Sequence, residues 1–178
     1  DYDIETFEVS TPYMNSEYIE EHAEQLDGNN KSNGITYKLQ QDENGQKTAA
    51  VQKAYDADIQ ANTIIPKYVK DTSGDRYKVT SIAGYAFLSC GNLGSVTIGT
   101  GVTSIGTAAF NNCTSLASVT IKSTQLSDVG SHAFTYYDER DGFYKTLPQQ
   151  ITFYVPSAVN KENYKTTILT GTTDNSWP

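Results

Sequence analysis

Two cysteines, Cys90 and Cys113, stand 23 residues apart, each in the same local frame F-x-x-C-x-x-L. If those frames stack, the two Cα atoms lie about 5 Å apart, within the reach of a disulfide. Stacked copies, however, hold their Cβ vectors parallel, whereas a disulfide needs them to converge. The reading is two buried thiols acting as small hydrophobes, with a disulfide as the alternative. No His or further Cys sits at ligand spacing, so no metal site is expected. His22 and His132 are read as surface residues, because no motif pairs either with a nucleophilic Ser or Cys. The acids Asp56/Asp58, Asp71/Asp75 and Asp138/Glu139/Asp141 miss the calcium-loop pattern, and Asp42-Glu43-Asn44-Gly45 is too short for it. Solvated turns account for them; residues 138–141 would be the first place to look for calcium. Asn30-Lys31-Ser32 and Asn112-Cys113-Thr114 match a glycosylation pattern by chance.

A denser chemical feature is TYYDERDGFYK. Tyr136, Tyr137, Phe143 and Tyr144 put four rings into nine residues, broken by Asp-Glu-Arg-Asp. Rings beside hydrogen-bonding groups suit glycan stacking or a protein contact. The favoured account is an elaborated end coil whose rings cover the last exposed core edge.

The elements that position these residues follow from a duplication. VTSIAGYAFLSCGNLGSVTI (79–98) returns as VTSIGTAAFNNCTSLASVTI (102–121). Val79/Val102, Ile82/Ile105, Phe87/Phe110, Leu93/Leu116, Val96/Val119 and Ile98/Ile121 hold their places while the intervening letters change. A period in the twenties with a fixed apolar skeleton marks a solenoid. In L-x-x-V-x-I, Val96 and Ile98 point inward and Ser95 and Thr97 outward. Stacking then sets Thr97, Thr120 and Thr152 in one outward row about 4.8 Å apart. The A-F-x-x-C-x-x-L spacing suggests a short helical turn as the return, with Ala86, Ala109 and Ala133 allowing close approach. Gly84, Gly106 and Gly130 are assigned to a turn of unusual φ.

Outside the clear copies, Ile65 is set on Ile98 and Val69 on Val102, with KDTSGDRYK as an inserted excursion. In a third unit Leu126, Val129 and Phe134 fall one residue late. Its strand, Ile151-Thr152-Phe153, takes the place of Val119-Thr120-Ile121. A hairpin of ITYKL and TAAVQKA turns at Asn44-Gly45. Upstream, SEYIEEHAEQL reads as a helix capped by Asn15, with Met14 stapled on Ile19. Downstream, SAVNKENYK reads as a short helix capped by Ser157. The domains are a 1–33 arm with linker, a 34–165 repeat domain, and a 166–178 tail.

The 178 residues suffice for one core, and 37% hydrophobic with 19% charged residues is globular composition. A formal charge of −8 argues against nucleic acid or an anionic membrane as partner. No apolar run reaches membrane-span length, and a start at Asp1 reads as a processed or trimmed product.

The pattern L-x-x-V-x-I-x-x-x-V-x-x-I-G-x-x-A-F-x-x-C-x-x-L resembles the BspA-like class of bacterial leucine-rich repeats. GITYKL, TIIP and YKVTSI resemble that family's entry, and FYVPSAVNKENYK its exit. The resemblance implies a β-rich α/β leucine-rich-repeat solenoid. Its architecture would be a short right-handed stack of about 23-residue coils, with a β-hairpin N-terminal cap and a short helical C-terminal cap. It also implies export to the cell surface, adhesion to a host matrix protein or glycan in some members, and no catalytic site or cofactor. The expected ligand surface is Ser95, Thr97, Ser118, Thr120 and Thr152 with Tyr136, Tyr137, Phe143 and Tyr144. A monomer is expected, attached to a membrane only through an anchor outside this chain. The competing reading is a structural spacer or assembly module with no ligand. A hydrolase is set aside because no acid, base and nucleophile converge.

Overall fold

The computed structural model describes residues 7–10, 22–147 and 149–170. Its strands are β1 (Phe7–Ser10), β2 (Glu24–Gln25), β3 (Lys31–Ser32), β4 (Ile35–Gln41), β5 (Lys47–Ala54), β6 (Asn62–Ile65), β7 (Tyr68–Lys70) and β8 (Arg76–Ile82). They continue as β9 (Ser95–Ile98), β10 (Ser104–Ile105), β11 (Ser118–Ile121), β12 (Asp128–Val129), β13 (Thr135–Asp138), β14 (Phe143–Thr146) and β15 (Thr152–Pro156). A helix, α1, covers Lys161–Thr170.

Each copy of Ser-Val-Thr-Ile forms a strand, because its β-branched residues alternate between a buried and a half-open face. β9 and β11 pair in parallel, Val96 on Val119 and Ile98 on Ile121. They sit inside a five-stranded parallel sheet ordered β1-β15-β11-β9-β6. The V-T-S-I segments make the second wall, where Ile82 pairs with Ile105 and Ile105 with Val129. That wall belongs to an eight-stranded sheet in which β4 and β5 form an antiparallel hairpin and β5 lies parallel to β8. The one-residue delay in the third coil appears directly in the register: Ser81 pairs with Ser104, but Ser104 with Asp128.

Between the walls the repeated apolar letters form one core. Phe87 stacks on Phe110 at 4.8 Å and Phe110 on Phe134 at 5.3 Å, while Phe153 meets Phe134 edge-on. The return arc is a run of turns, not a helix. Ala86 N–H donates to Ala83 C=O, Leu88 to Tyr85 and Cys90 to Phe87, each three residues back. Tyr85, Ala108 and His132 adopt φ of 60°, 54° and 58°, and Ser89 and Asn112 also lie in the left-handed region. A positive φ at the third turn position breaks the helical run and frees N–H groups for the next coil. Phe87 N–H reaches Ala109 C=O and Phe110 N–H reaches Ala133 C=O. The glycine assignment is corrected accordingly, since Gly84, Gly106 and Gly130 are not among the residues of positive φ. Their requirement is proximity: a Cβ on Gly106 would stand 2.3 Å from Gly84 N, and one on Gly130 2.3 Å from Thr107 N.

Three reversals share one device. Asp27, Asp42 and Asp71 each accept the N–H groups two and four residues ahead on Oδ1. Asn30, Gly45 and Gly74 take the positive φ that follows a type I turn in a three-residue hairpin loop. The first of these is DGNNK, read from sequence as a linker. The third reverses the chain so that β7 lies antiparallel to β8. Val69 therefore faces Tyr77 and does not stack under Val102 in a coil.

Three further readings are corrected. Glu24-Gln25, placed at the end of an N-terminal helix, is a strand parallel to β7, and Leu26 is buried in the common core. Residues 22 and 23 are not helical either, and the remainder of that expected helix, with Asn15, Met14 and Ile19, lies outside the described residues. Thr152 pairs with Ser118 and Phe153 with Val119, a slip of two residues from the expected register. The outward rows are thus Asn62–Ser95–Ser118–Thr152 and Ile64–Thr97–Thr120–Tyr154. Helix α1 starts after Asn160, whose Oδ1 accepts from Asn163 N–H, so Asn160 is the cap and not Ser157. It extends to Thr170 and buries Tyr164 and Ile168.

Candidate functional site

The third coil leaves its register after Phe134, and β13 and β14 project there as an antiparallel hairpin, Tyr137 facing Tyr144. Thr135 anchors its base: buried, it receives Asn111 Nδ2 on both its carbonyl and its hydroxyl. At the tip, Asp138 is 5% exposed and accepts four hydrogen bonds, one of them from the Arg140 backbone N–H at 3.1 Å. Arg140 grips it in bidentate fashion, Nε and Nη2 each 3.0 Å from a carboxylate oxygen, and Lys145 Nζ lies at 2.8 Å. Lys145 also bonds Asp141. These cations, with the Arg140 hydrogen bonds foremost, hold the Asp138 carboxyl far below the usual carboxylate range. The clamp fixes the loop geometry through charge-assisted bonds. The place where calcium would have been sought therefore carries the chain's own cations.

The register puts Tyr137 and Tyr144 on one face of the hairpin, edge-on at 5.2 Å, and Phe143, opposite Asp138, on the other. Tyr144 stacks on His132 with centroids 3.9 Å apart, covering Nδ1, which is buried without a partner, and Tyr136 is half-buried. Tyr137 (48% exposed) and Phe143 (39%) face outward. Exposed rings on a hairpin whose tip is tied by charge-assisted bonds suit a contact surface. The serine and threonine rows lie elsewhere, on the five-stranded sheet. Ser95, Thr97, Ser118, Thr120 and Thr152 are all half-buried there, with Asn62 Oδ1 accepting from Ser95 Oγ. Rings and hydroxyls thus belong to separate sheets.

The remaining acids are structural. Asp56 accepts from the Asn92 backbone and side chain, Asp58 pairs with Lys31, and Asp75 with Lys47. Cys90 and Cys113 are free, buried thiols. Cys113 Sγ–H donates to Phe87 C=O at 3.0 Å, and burial pushes Cys90 up to about 11 and Cys113 higher still. A thiolate nucleophile is disfavoured at both positions. Among the described residues no group of three or more His, Cys, Asp or Glu could hold a metal ion, and no helix is long and apolar enough to cross a membrane.

Sequence reasoning passed over Tyr55, Tyr85 and Leu88, three exposed apolar side chains brought together from two separate segments. Their signal was available at one position. Tyr85 occupies the variable slot that carries Ala108 and His132 in the other coils.

Against known proteins, the sequence model of the BspA type leucine rich repeat region matches residues 76–171 as six copies, more than half of the chain. Among solved structures, one similar chain is a leucine rich cell surface protein from Faecalibacterium prausnitzii A2-165. That match has 26% identity and TM-score 0.48, covering 73% of this chain and 31% of that one. Another is a leucine-rich repeat protein from Bacteroides capillosus ATCC 29799, with 22% identity, TM-score 0.46, and 71% and 97% coverage. A third is the T. pallidum leucine rich repeat protein, with 17% identity, TM-score 0.41, and 67% and 61% coverage. The chain therefore spans less than a third of the first of these. No curated protein matches.

Proposed function

This chain belongs to the BspA-type leucine-rich-repeat family, and on that premise we propose that it is a non-enzymatic binding domain of the cell surface or extracellular space. Its partner is a protein or a glycan, as in adhesion to a host matrix. The working unit is a right-handed stack closed by the β4–β5 hairpin at one end and by α1 at the other, so it runs past residue 165 to Thr170. Contact is made through the outward rings of the β13–β14 hairpin, with the Ser95, Thr97, Ser118, Thr120 and Thr152 face as the secondary surface.

One observation supports this most. Tyr137 and Phe143 stay exposed on a hairpin whose tip is tied together by Asp138, Arg140 and Lys145. Neither ring belongs to the core cluster, so covering the end of the core does not account for them. The test is a glycan and matrix-protein array probed with the wild-type chain and with Tyr137→Ser/Phe143→Ser. Binding by the wild type and its loss in the variant, at unchanged melting temperature, is the expected result. A chain that binds nothing on such arrays would be the spacer or assembly module instead.

A further inference from the structure

We propose that the cleft between the β4–β5 hairpin and the first coil binds an acidic carbohydrate: a pyranose stacked on Tyr85, with its carboxylate on Lys53. The cleft has a volume of about 630 Å³. Of the six large hydrophobic side chains exposed among the described residues, three converge here: Tyr55 at 40%, Tyr85 at 56% and Leu88 at 47%. On a chain this polar, such clustering departs from the singly scattered exposed apolar residues that need no explanation.

Tyr85 carries a second, independent signal. Its φ is 60°, a conformation that bulky side chains rarely adopt. The fold demands that conformation at this slot but not the ring, because the same slot holds Ala108 at 54° in the next coil. A ring kept on an unfavourable backbone, pointing into solvent beside a cleft, is strain placed where a ligand would use it.

The polar lining selects the ligand. Lys31 and Lys53 approach the Tyr55 ring at 4.7 and 5.3 Å, so the ring holds both ammonium groups at the cleft. Lys31 is paired with Asp58 at 2.8 Å. Lys53 has no carboxylate partner among the described residues, leaving an uncompensated cation on a chain of net charge −8. The Asn29 and Gln52 amides line the same space and suit sugar hydroxyls. A peptide fits less well, since the backbone along the cleft is already engaged. Thr36 pairs with Lys53, Ala54 N–H donates to Ala86 C=O, Tyr55 N–H to Gly34 C=O, and Tyr85 N–H to Thr107 C=O. No strand edge is left there for an extended chain to join.

Calorimetric titration of the full chain with oligogalacturonate, hyaluronan oligosaccharide and a sialylated oligosaccharide tests this, with cello-oligosaccharide and poly-glutamate as contrasts. At least one carboxylated sugar is expected to bind saturably. Tyr85→Asn, which tolerates the left-handed backbone, should weaken that binding roughly tenfold at an unchanged or higher melting temperature. Lys53→Gln should erase the preference over the neutral sugar, and Tyr137→Ser should leave binding intact, separating this site from the hairpin surface. Should Tyr85→Asn not fold, amide shifts in the wild-type protein must localise to Asn29, Tyr55 and Tyr85. Any of four results overturns the proposal: no saturable binding of a carboxylated sugar, full binding by Tyr85→Asn, amide shifts elsewhere, or poly-glutamate binding as tightly as the sugars.

Discussion

Gly106 shows how closely the coils approach. Its backbone is ordinary, yet a single added carbon would stand 2.3 Å from Gly84 N, well inside contact distance. Gly106→Ala is expected to destabilise by at least about 1–3 kcal/mol in urea unfolding. Gly28→Ala, with nothing within 4 Å, should stay within about 0.5 kcal/mol. Sequence alone could mark these glycines but not choose between φ and proximity, because both reasons leave the same letter. The cysteines were legible, since matched slots in matched coils imply parallel side chains. Both should resist alkylation at pH 8 in the native chain and react once it unfolds. Burial raises the thiols in the folded state, so a proton is retained there after the unfolded chain has released it above about pH 9. Stability is therefore unaffected by these groups below that pH. It falls as pH rises toward about 11 for Cys90, by up to about 1.4 kcal/mol per pH unit per thiol. Flat stability from pH 9 to 11 would contradict this burial.

At the scale of elements, alternation is the strength and the limit of what the sequence discloses. Ile151-Thr152-Phe153 was given the correct inward and outward parity but the wrong partners. A slip of two keeps every side chain on its face, and only the insertion before it decides the register. The hairpin of ITYKL and TAAVQKA was legible because Asn44-Gly45 supplies the turn. The Asp27 reversal reads as turn chemistry but as a linker instead of a hairpin, because Asn30 does the work of that glycine. Helix α1 was placed early because Ser157 is as good a capping letter as Asn160, and only packing discriminates. That packing centres on Tyr164, whose hydroxyl donates to Ser123 C=O at 2.7 Å and accepts Leu126 N–H at 3.0 Å. Tyr164→Phe leaves both backbone groups buried without a partner and should cost about 1–3 kcal/mol. Hydrogen exchange should then rise at residues 123–127. Unchanged protection at Leu126 would show that the helix is held by Ile168 alone.

For the whole molecule, the repeated letters form the core and the stacking contacts, while the exposed rings sit where the repeat departs from itself. Tyr137 and Phe143 lie on the hairpin that breaks the third coil, and Tyr85 fills a slot that varies between coils. The fold was therefore legible from periodicity and the aromatic hairpin from composition. The Tyr55–Tyr85 cleft was not, since its residues meet only after the first coil docks on the β4–β5 hairpin. The division of labour has a direct test: replace residues 136–145 with a two-residue Asn-Gly turn, then measure melting temperature and array binding together. The expected outcome is a coil that melts within a few degrees of the wild type and no longer binds its array partner. A variant that unfolds, or one that still binds as the wild type does, would contradict the assignment of the hairpin to recognition.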